Sequence, residues 1–255
     1  HWYLNGYGIF RCGQVLLKGD LFVVDPGSGQ VFQIDLDNPD LEKNRELVAA
    51  TPPFMLNNLA FDKDDRLYIS SVARASVLKV LGVTEFRVSS PGIISLPTGV
   101  AVLDGVVYTV SALAMYGYNA DTGEEVSLVA PMLGMGDLMQ PTAVIAWTEG
   151  RLLQCSFLGG TIVIWNVTDD SALATLSFSA PTDALPFQDG FLVVESATGN
   201  VVKATGEDWA DRVVLMNIPG AFFLDSDDNN VYMSHTFAGT ILQIVASGVV
   251  LEEPI

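Results

Sequence analysis

Residues 189–204 read Asp189-Gly190-Phe191-Leu192-Val193-Val194-Glu195-Ser196-Ala197-Thr198-Gly199-Asn200-Val201-Val202-Lys203-Ala204. This stretch holds an apolar strand, a gap of about four polar or small residues and a second apolar strand. The second strand has a hydrophobic-hydrophobic-polar-hydrophobic signature, which returns at Val31-Phe32-Gln33-Ile34, Val77-Leu78-Lys79-Val80 and Ile241-Leu242-Gln243-Ile244, and in looser form at Ile162-Val163-Ile164-Trp165 and Met115-Tyr116-Gly117-Tyr118. The strands that precede these copies centre on Phe22, Tyr68, Tyr108, Leu153, Leu192 and Tyr232. Several short strands that repeat about every forty residues indicate a radial array of small sheets.

Each repeat resolves into four strands, A to D. Strand A is apolar and ends in a short polar turn, of which Asp104-Gly105 is the strongest hairpin signal because both residues accept a positive φ. Strands B and C follow, and a more polar strand D closes the repeat. The sequence therefore predicts an all-β, six-bladed β-propeller of four-stranded antiparallel blades that begin near residues 14, 58, 98, 142, 182 and 220. We expect residues 1–255 to be one domain, with 1–13 adding a closing strand beside 249–251.

Composition limits the classes of partner that we expect the chain to bind. The chain has 30 acidic and 12 basic residues and a net charge of −18, whereas binding to phosphate groups needs clustered Lys and Arg. Nucleic acid and anionic membrane surfaces are therefore not expected partners. No stretch of eighteen or more residues is apolar and uninterrupted by charge or proline, which predicts that no transmembrane helix is present.

Two weak sequence signals bear on whether the protein is secreted or cytoplasmic. The chain starts at His1 rather than Met, and Asn166-Val167-Thr168 matches an N-glycosylation site in a predicted C–D turn. Secretion is the expectation, with a cytoplasmic location left open. Cys12 and Cys155 fall in opposite blades, so that a disulfide between them is not expected.

The predicted strand directions bring the starts of strands A and the ends of strands B to one face around the central channel. The A strands supply Asn57, Asn58, Thr98, Thr142, Thr182 and Asp183, and the B strands supply Asp25, Ser70, Ser111, Ser156, Glu195, Ser234 and His235. Such a ring of oxygen ligands and one imidazole is suited to metal binding or proton transfer. We take Asp183, Glu195 and His235 as candidate catalytic residues, and Asn57, Asn58, Thr98 and Thr142 as candidate ligand-binding residues.

A structural interpretation stands beside this one. Asp25 and Glu195 occupy equivalent repeat positions, which is typical of carboxylates that accept backbone N–H bonds in the following turn. His235 is open to the same reading as a hydrogen-bonded loop residue. Asp183 differs, because the equivalent position holds Asn58, Gly99, Ala143 and Ala221 in other repeats.

The loop 130–141 lies on the same predicted face. It contains Met132, Met135 and Met139, whose flexible thioether side chains suit an adaptable apolar surface over a ligand. The alternative is that the loop simply packs over the blade edges.

The repeats 97–108 and 189–203 resemble NHL-type propeller repeats and are similar to the broader superfamily of senescence-marker-protein/gluconolactonase, paraoxonase and strictosidine-synthase-like proteins. The resemblance covers residues 14–251 and rests on residues that make the fold. Gluconolactonase-like enzymes bind a divalent metal through a Glu, an Asn and an Asp. The resemblance places Asp183 at the Asp position, with Asn58 as a substitute for the Asn, and so implies Ca²⁺ or a similar ion.

The expected function is therefore the binding of a small, mainly apolar molecule at the channel mouth. Lactone or ester hydrolysis assisted by a metal is what the resemblance implies. The alternative is a secreted, non-catalytic propeller whose rim binds a protein or a glycan.

Overall fold

The computed structural model describes residues 14–38, 40, 44–51, 56–72, 74–80, 86–88, 97–111, 114–131, 141–148, 150–226, 230–235 and 240–245. These residues contain 23 β-strands, one 3₁₀ turn at Glu207–Trp209 and no α-helix. The all-β prediction is thus confirmed. Within the same ranges, no helix has the length and hydropathy that crossing a bilayer requires.

The described strands form six antiparallel sheets, each made from strands consecutive in the chain. Sheet 1 contains β1 (Gln14–Leu17), β2 (Asp20–Asp25), β3 (Gln30–Asp35) and β4 (Arg45–Ala50). Sheet 2 contains β5 (Leu59–Phe61), β6 (Leu67–Ser71), β7 (Ser76–Val80) and β8 (Phe86–Val88). Sheet 3 contains β9 (Gly99–Leu103), β10 (Val106–Val110), β11 (Ala114–Asn119) and β12 (Glu125–Pro131).

The remaining three sheets continue the same pattern. Sheet 4 contains β13 (Pro141–Ala146), β14 (Arg151–Ser156), β15 (Thr161–Asn166) and β16 (Ser171–Ser177). Sheet 5 contains β17 (Pro181–Phe187), β18 (Gly190–Glu195), β19 (Asn200–Thr205) and β20 (Asp211–Asn217). Sheet 6, as far as it is described, contains β21 (Ala221–Ser226), β22 (Asn230–His235) and β23 (Thr240–Val245).

The first strands of the sheets follow one another in a closed succession. Strands β1, β5, β9, β13, β17 and β21 make contact in that order, and β21 contacts β1. Apolar clusters fill the spaces between successive sheets, including that between the last and the first, where Leu21, Val23 and Ile34 pack against Tyr232 and Ile241. The second strand of each sheet is buried along nearly its whole length. Because it is covered on both faces, its sequence is mostly apolar rather than alternating.

Two turns show how local chemistry sets the register. Asp104 and Gly105 have φ values of 51° and 78°, which confirms the two-residue hairpin predicted there. In sheet 5 the hairpin turn is Gln188-Asp189, because Phe187 pairs with Gly190 and Gln188 has a positive φ of 53°. Gly190 belongs to β18, where an added Cβ would lie only 1.9 Å from the Ala204 carbonyl oxygen. This glycine permits close strand pairing rather than a turn.

Candidate functional site in the channel

A cavity of about 160 Å³ lies among the first strands, and we call it the channel cavity. Its described lining is mostly Val, Ala, Leu and Ile side chains from β1, β5, β9, β13, β17 and β21. Three polar residues interrupt this apolar wall, namely Asn58, Asp183 and Asp225. No Lys, Arg or His is found among these lining residues. An apolar cavity with a few polar groups is the usual form of a small-molecule site.

Asp183 is the most perturbed group in the cavity. Asp183 is only 5 % exposed, and its Oδ2 accepts a 2.8 Å hydrogen bond from the Leu224 N–H of the neighbouring sheet. Burial raises the pKa of the Asp183 carboxyl from 3.8 to about 8, and the nearby charge of Asp225 also raises it. The hydrogen bonds from the Leu224 and Ala184 N–H groups lower this pKa, but by less. The carboxyl is therefore mostly protonated at neutral pH.

Asn58 lies at the start of β5, where it is 8 % exposed. Its Oδ1 accepts a hydrogen bond of 2.8 Å from the Leu59 N–H, and its backbone N–H donates to Ser70 Oγ at 3.0 Å. None of the described residues accepts a hydrogen bond from the Asn58 Nδ2.

We call the position of Asn58, Gly99, Ala143 and Asp183 in sheets 2 to 5 the channel position. The residue directly before it links each of these four sheets to the next one. Asn57 Nδ2 donates to the Thr98 carbonyl at 2.7 Å, and Thr98 Oγ1 donates to the Pro141 carbonyl at 2.7 Å. Thr142 Oγ1 donates to the Pro181 carbonyl at 3.2 Å, and Thr182 Oγ1 donates to the Phe222 carbonyl at 2.8 Å. We call these four residues the belt. Because their donors are used between sheets, the ligand-binding role of Asn57, Thr98 and Thr142 stays a prediction.

Glu195 and Asp25 both bind backbone and side-chain donors in nearby loops. Glu195 accepts hydrogen bonds from the Ser179 N–H at 2.8 Å and the Thr198 hydroxyl at 3.2 Å. Asp25 accepts from the Gly27 N–H at 2.9 Å and the Ser28 hydroxyl at 2.8 Å. Such bonds are those that the structural interpretation of these carboxylates requires. Neither residue lines the channel cavity.

His235 ends β22, where it is half-buried and pairs with Ala221 and Thr240. It is not part of the channel-cavity lining either. The structure thus brings Asn58 and Asp183 to one cavity and leaves Glu195 and His235 at the ends of second strands. A catalytic role for Asp183, Glu195 and His235 stays a prediction.

Several predicted features lie outside the described residues, namely Met132, Met135, Met139, Cys12 and the proposed closing strand of 1–13 beside 249–251. Cys155 is a free thiol, fully buried in β14, and burial raises the pKa of that thiol. Asn166 ends β15 at the hairpin turn where the sequence places the glycosylation motif, and its Oδ1 accepts the Thr168 N–H at 3.0 Å. Glycosylation and secretion stay predictions.

The donors for a divalent metal are few in the part of the chain that the structure describes. Asn58 and Asp183 do line one cavity, but no three His, Cys, Asp or Glu side chains cluster in a way that could hold a metal. The resemblance implies a Glu, an Asn and an Asp, and the described cavity lining has Asn58, Asp183 and Asp225 but no Glu, so that a metal there stays a prediction.

Asp225 is the cavity residue that sequence reasoning missed. It follows the apolar run Ala221-Phe222-Phe223-Leu224, which looks like the end of strand A followed by its polar turn. In the structure β21 continues to Ser226, and Asp225 pairs with Tyr232 inside the sheet. The sequence signal that could have identified Asp225 is an acidic residue directly before the predicted turn.

The fold is that of a β-propeller. A chain in the crystal structure of the nidogen/laminin complex is similar over 86 % of this chain and 86 % of its own length, with a TM-score of 0.72 and 16 % identity. A streptogramin B lyase is similar over 97 % of this chain and 84 % of its own, with a TM-score of 0.70 and 12 % identity. Virginiamycin B lyase from Staphylococcus aureus is similar over 91 % of this chain and 94 % of its own length, with a TM-score of 0.69 and 8 % identity.

These neighbours confirm the resemblance to NHL-repeat and senescence-marker-protein-like propellers at the level of fold. No protein-family model matches the sequence, and no curated protein matches it significantly. A shared propeller does not carry an activity from one protein to another, because function resides in the site.

Proposed function

We propose that the chain is a six-bladed β-propeller that binds a small, mainly apolar molecule in the channel cavity, with Asp183 and Asn58 as its polar anchors. Six blades agree with the closed succession of first strands from β1 to β21 and back to β1. Asp183 is the observation that carries the binding proposal. The fold does not require an acid there, since Gly99 and Ala143 occupy the equivalent position in two other sheets.

The cost of burying Asp183 supports a role in binding. An ionised carboxyl is costly to bury, and Asp183 stays mostly protonated at neutral pH because no described basic residue lines the cavity with it. A residue that is costly for stability and lies in a cavity is a good candidate for a functional group. Glu195 bears no such cost, because its oxygens accept donors from Ser179 and Thr198 in nearby loops.

The cavity volume limits what binds there. An engineered protein cavity of about 150 Å³ accepts benzene, so that the channel cavity has room for about six non-hydrogen atoms. The ligand is therefore a molecule of that size or one end of a larger molecule. Apolar residue types outnumber polar ones in the lining, but polar atoms contribute as much of its surface, which predicts a short hydrocarbon body that carries polar groups.

A fragment screen by ligand-observed NMR tests this proposal. Ala60 is half-buried and lines the cavity, so Ala60→Leu fills part of the space, whereas Ala172→Leu makes the same change at an exposed position of β16. We expect fragments that bind the wild type and Ala172→Leu to lose most of their binding to Ala60→Leu. Fragments that bind all three proteins equally, or no fragment bound at all, contradict the proposal.

Metal-assisted lactone or ester hydrolysis is the finer activity that the resemblance suggests, and it is tested separately. Elemental analysis and a panel of lactones and esters are measured on the wild type and on Asp183→Ala. Loss of both metal and turnover in the variant supports hydrolysis. Turnover that survives the substitution removes Asp183 from any such mechanism.

A protein or glycan partner at the rim is the second candidate. Leu158, in the loop between β14 and β15 on the same face as the channel position, is 60 % exposed. The nidogen/laminin complex shows that a propeller of similar fold is found in a protein complex. A Leu158→Asp variant that loses a partner while it keeps fragment binding in the channel supports this candidate over the first.

A further inference from the structure

The connection between β3 and β4 differs from its counterparts in the other sheets. It spans nine residues, 36–44, whereas the connections between the third and fourth strands of sheets 2 to 5 have four or five. Residues 35–44 include four acidic residues and one basic residue. A hairpin loop needs only about two to five residues to reverse the chain, so the fold does not account for this length and charge.

Asn44 is enclosed by this loop. Its backbone N–H donates to the Asp40 carbonyl at 2.9 Å, and its own carbonyl accepts the Asp35 N–H at 2.7 Å. Its side-chain Nδ2 donates to the Asn38 carbonyl at 3.1 Å. The Asn44 amide therefore points into the loop, and the residue is only 4 % exposed.

The oxygen of the same amide is not satisfied. Asn44 Oδ1 is buried, and none of the described residues donates a hydrogen bond to it. Exchanging the amide oxygen and nitrogen would not remove the problem, because the oxygen would then face the Asn38 carbonyl oxygen. Buried acceptors are normally paired, so an unpaired one inside an acidic loop indicates an occupant that binds oxygen atoms.

The negative charge at the start of the loop is not needed to form the turn. Asp35 Oδ1 accepts the Asp37 N–H at 2.9 Å, and the residues that end the third strands of sheets 3 and 4, Asn119 and Asn166, make the same bond with a neutral amide oxygen. Asparagine would therefore serve this turn equally well. The exposed carboxylates of Asp35 and Asp37 are available for a cation.

We propose that the β3–β4 loop binds a calcium ion, with Asn44 Oδ1 as a buried ligand and the carboxylates of Asp35 and Asp37 as the charged ligands. Ca²⁺ takes about six to eight oxygen atoms from carboxylates, amide and backbone carbonyls and water, and the loop offers these donor types. Mg²⁺ fits less well, because it demands a near-ideal octahedron and retains its water. The loop is absent from the described lining of the channel cavity, so this site is separate from the proposed channel ligand.

The number of charged ligands sets the expected affinity. Among the described residues, no three Asp, Glu, His or Cys side chains cluster in a way that could hold a metal, so neutral oxygens must supply most of the coordination. Calcium sites with few charged ligands have dissociation constants of about 0.1 to 1 mM. We expect calorimetric titration of calcium chloride into chelator-treated protein to show one site in this range, and magnesium chloride to bind at least about tenfold more weakly.

Variants locate the ion. Asp35→Asn keeps the acceptor for the turn and should weaken calcium binding at least about fivefold, because affinity depends on the number of charged ligands. Asn44→Leu removes the buried oxygen and should abolish binding. Asp170→Asn is the matched control, since Asp170 is an exposed acid in the β15–β16 turn and Asn tolerates its φ of 53°. Asp170→Asn and the channel variant Asp183→Asn should both bind calcium as the wild type does.

Each result decides the proposal. No saturable calcium binding by the wild type overturns it, and so does binding that is unchanged in Asp35→Asn and Asn44→Leu, which would show an adventitious ion only. Loss of binding in Asp183→Asn alone places the ion in the channel and also overturns it. Thermal unfolding shows whether each variant is folded, and if Asn44→Leu is not, Asp35→Asn and Asp37→Asn decide. The fragment screen judges the channel ligand independently of all these results.

Discussion

The belt and the channel position are adjacent in sequence, and yet they have opposite characters. Asn57, Thr98, Thr142 and Thr182 repeat one arrangement, in which a side-chain donor binds a carbonyl of the next sheet. The next residue in each sheet is Asn58, Gly99, Ala143 and Asp183, a set with no shared chemistry. Uniform positions of a repeat are those that the architecture needs, whereas variable ones are free for function. We therefore place the proposed ligand specificity of this propeller at the channel position.

The largest expected effect concerns the channel acid. The folded pKa of about 8 lies above the ordinary 3.8, so the stabilisation from the protonated carboxyl is fully present below pH 3.8 and is lost as the pH rises to about 8. Relative to Asp183→Asn, which does not titrate, the wild type should lose on the order of 5 kcal/mol of unfolding free energy across that window. Urea denaturation of both proteins at several pH values measures the difference.

An exposed acid provides the contrast for that measurement. Asp189 pairs with Lys203 at 3.0 Å, which lowers the pKa of its carboxyl, so that its small contribution is lost as the pH falls rather than as it rises. Asp189→Asn should therefore not reproduce the effect of Asp183→Asn. A wild-type stability that follows that of Asp183→Asn at every pH would show that Asp183 is ionised as an ordinary acid.

A second prediction concerns the channel position that holds no side chain. A Cβ on Gly99 would lie 2.6 Å from the Val144 N and 2.9 Å from the Ala143 Cα, both in the neighbouring sheet. Gly99→Ala should destabilise the protein by about 2 to 3 kcal/mol, because backbone atoms of β13 must move apart from β9. Thermal or urea unfolding measures this loss.

The matched control for Gly99 is Gly105→Asn. Gly105 has a φ of 78° and open space around it, and Asn tolerates that conformation better than other residues do. If Gly99→Ala loses as little unfolding free energy as Gly105→Asn, the backbones of sheets 3 and 4 are not as close at Gly99 as the structure places them.

The smallest expected effect is in the belt. Thr142 is fully buried, and Thr142→Val removes the hydroxyl that donates to the Pro181 carbonyl, leaving a buried acceptor without that partner. We expect a loss of about 1 to 2 kcal/mol, whereas Thr175→Val on the exposed face of β16 should change stability by less than about 0.5 kcal/mol. Ligand binding in the channel should be unchanged in Thr142→Val. If binding is lost while stability is kept, Thr142 is a ligand-binding residue after all.

Much of the fold could be predicted because it depends on local patterns. The run Phe191-Leu192-Val193-Val194 is continuous and apolar, which is typical of a strand covered on both faces, and β18 is such a strand. The Asp104-Gly105 turn was predicted for its positive φ values, and these are observed. A glycine signals either a turn or a close approach of two strands, and only the contact with Ala204 shows that Gly190 is of the second kind.

The candidate site was predictable in part. Asp183 was recognisable as the residue that departs from its repeat position, and Asn58 as a polar residue at the same position. Glu195 looks equally acidic and equally well placed in sequence, but its oxygens accept donors from Ser179 and Thr198. Hydrogen bonds to the loop that contains Ser179 depend on how separate hairpins meet, which the spacing of residues does not encode.

Sequence alone determined that this chain folds into repeated antiparallel sheets, because strand periodicity and turn residues act over a few neighbouring positions. Only the tertiary structure decided which polar residues face the channel, which of them join one sheet to the next, and that Asp183 shares a cavity with Asn58 and Asp225. The physical reason is that burial, and with it the pKa of a carboxyl, is set by all the strands that surround a side chain and not by the strand to which it belongs.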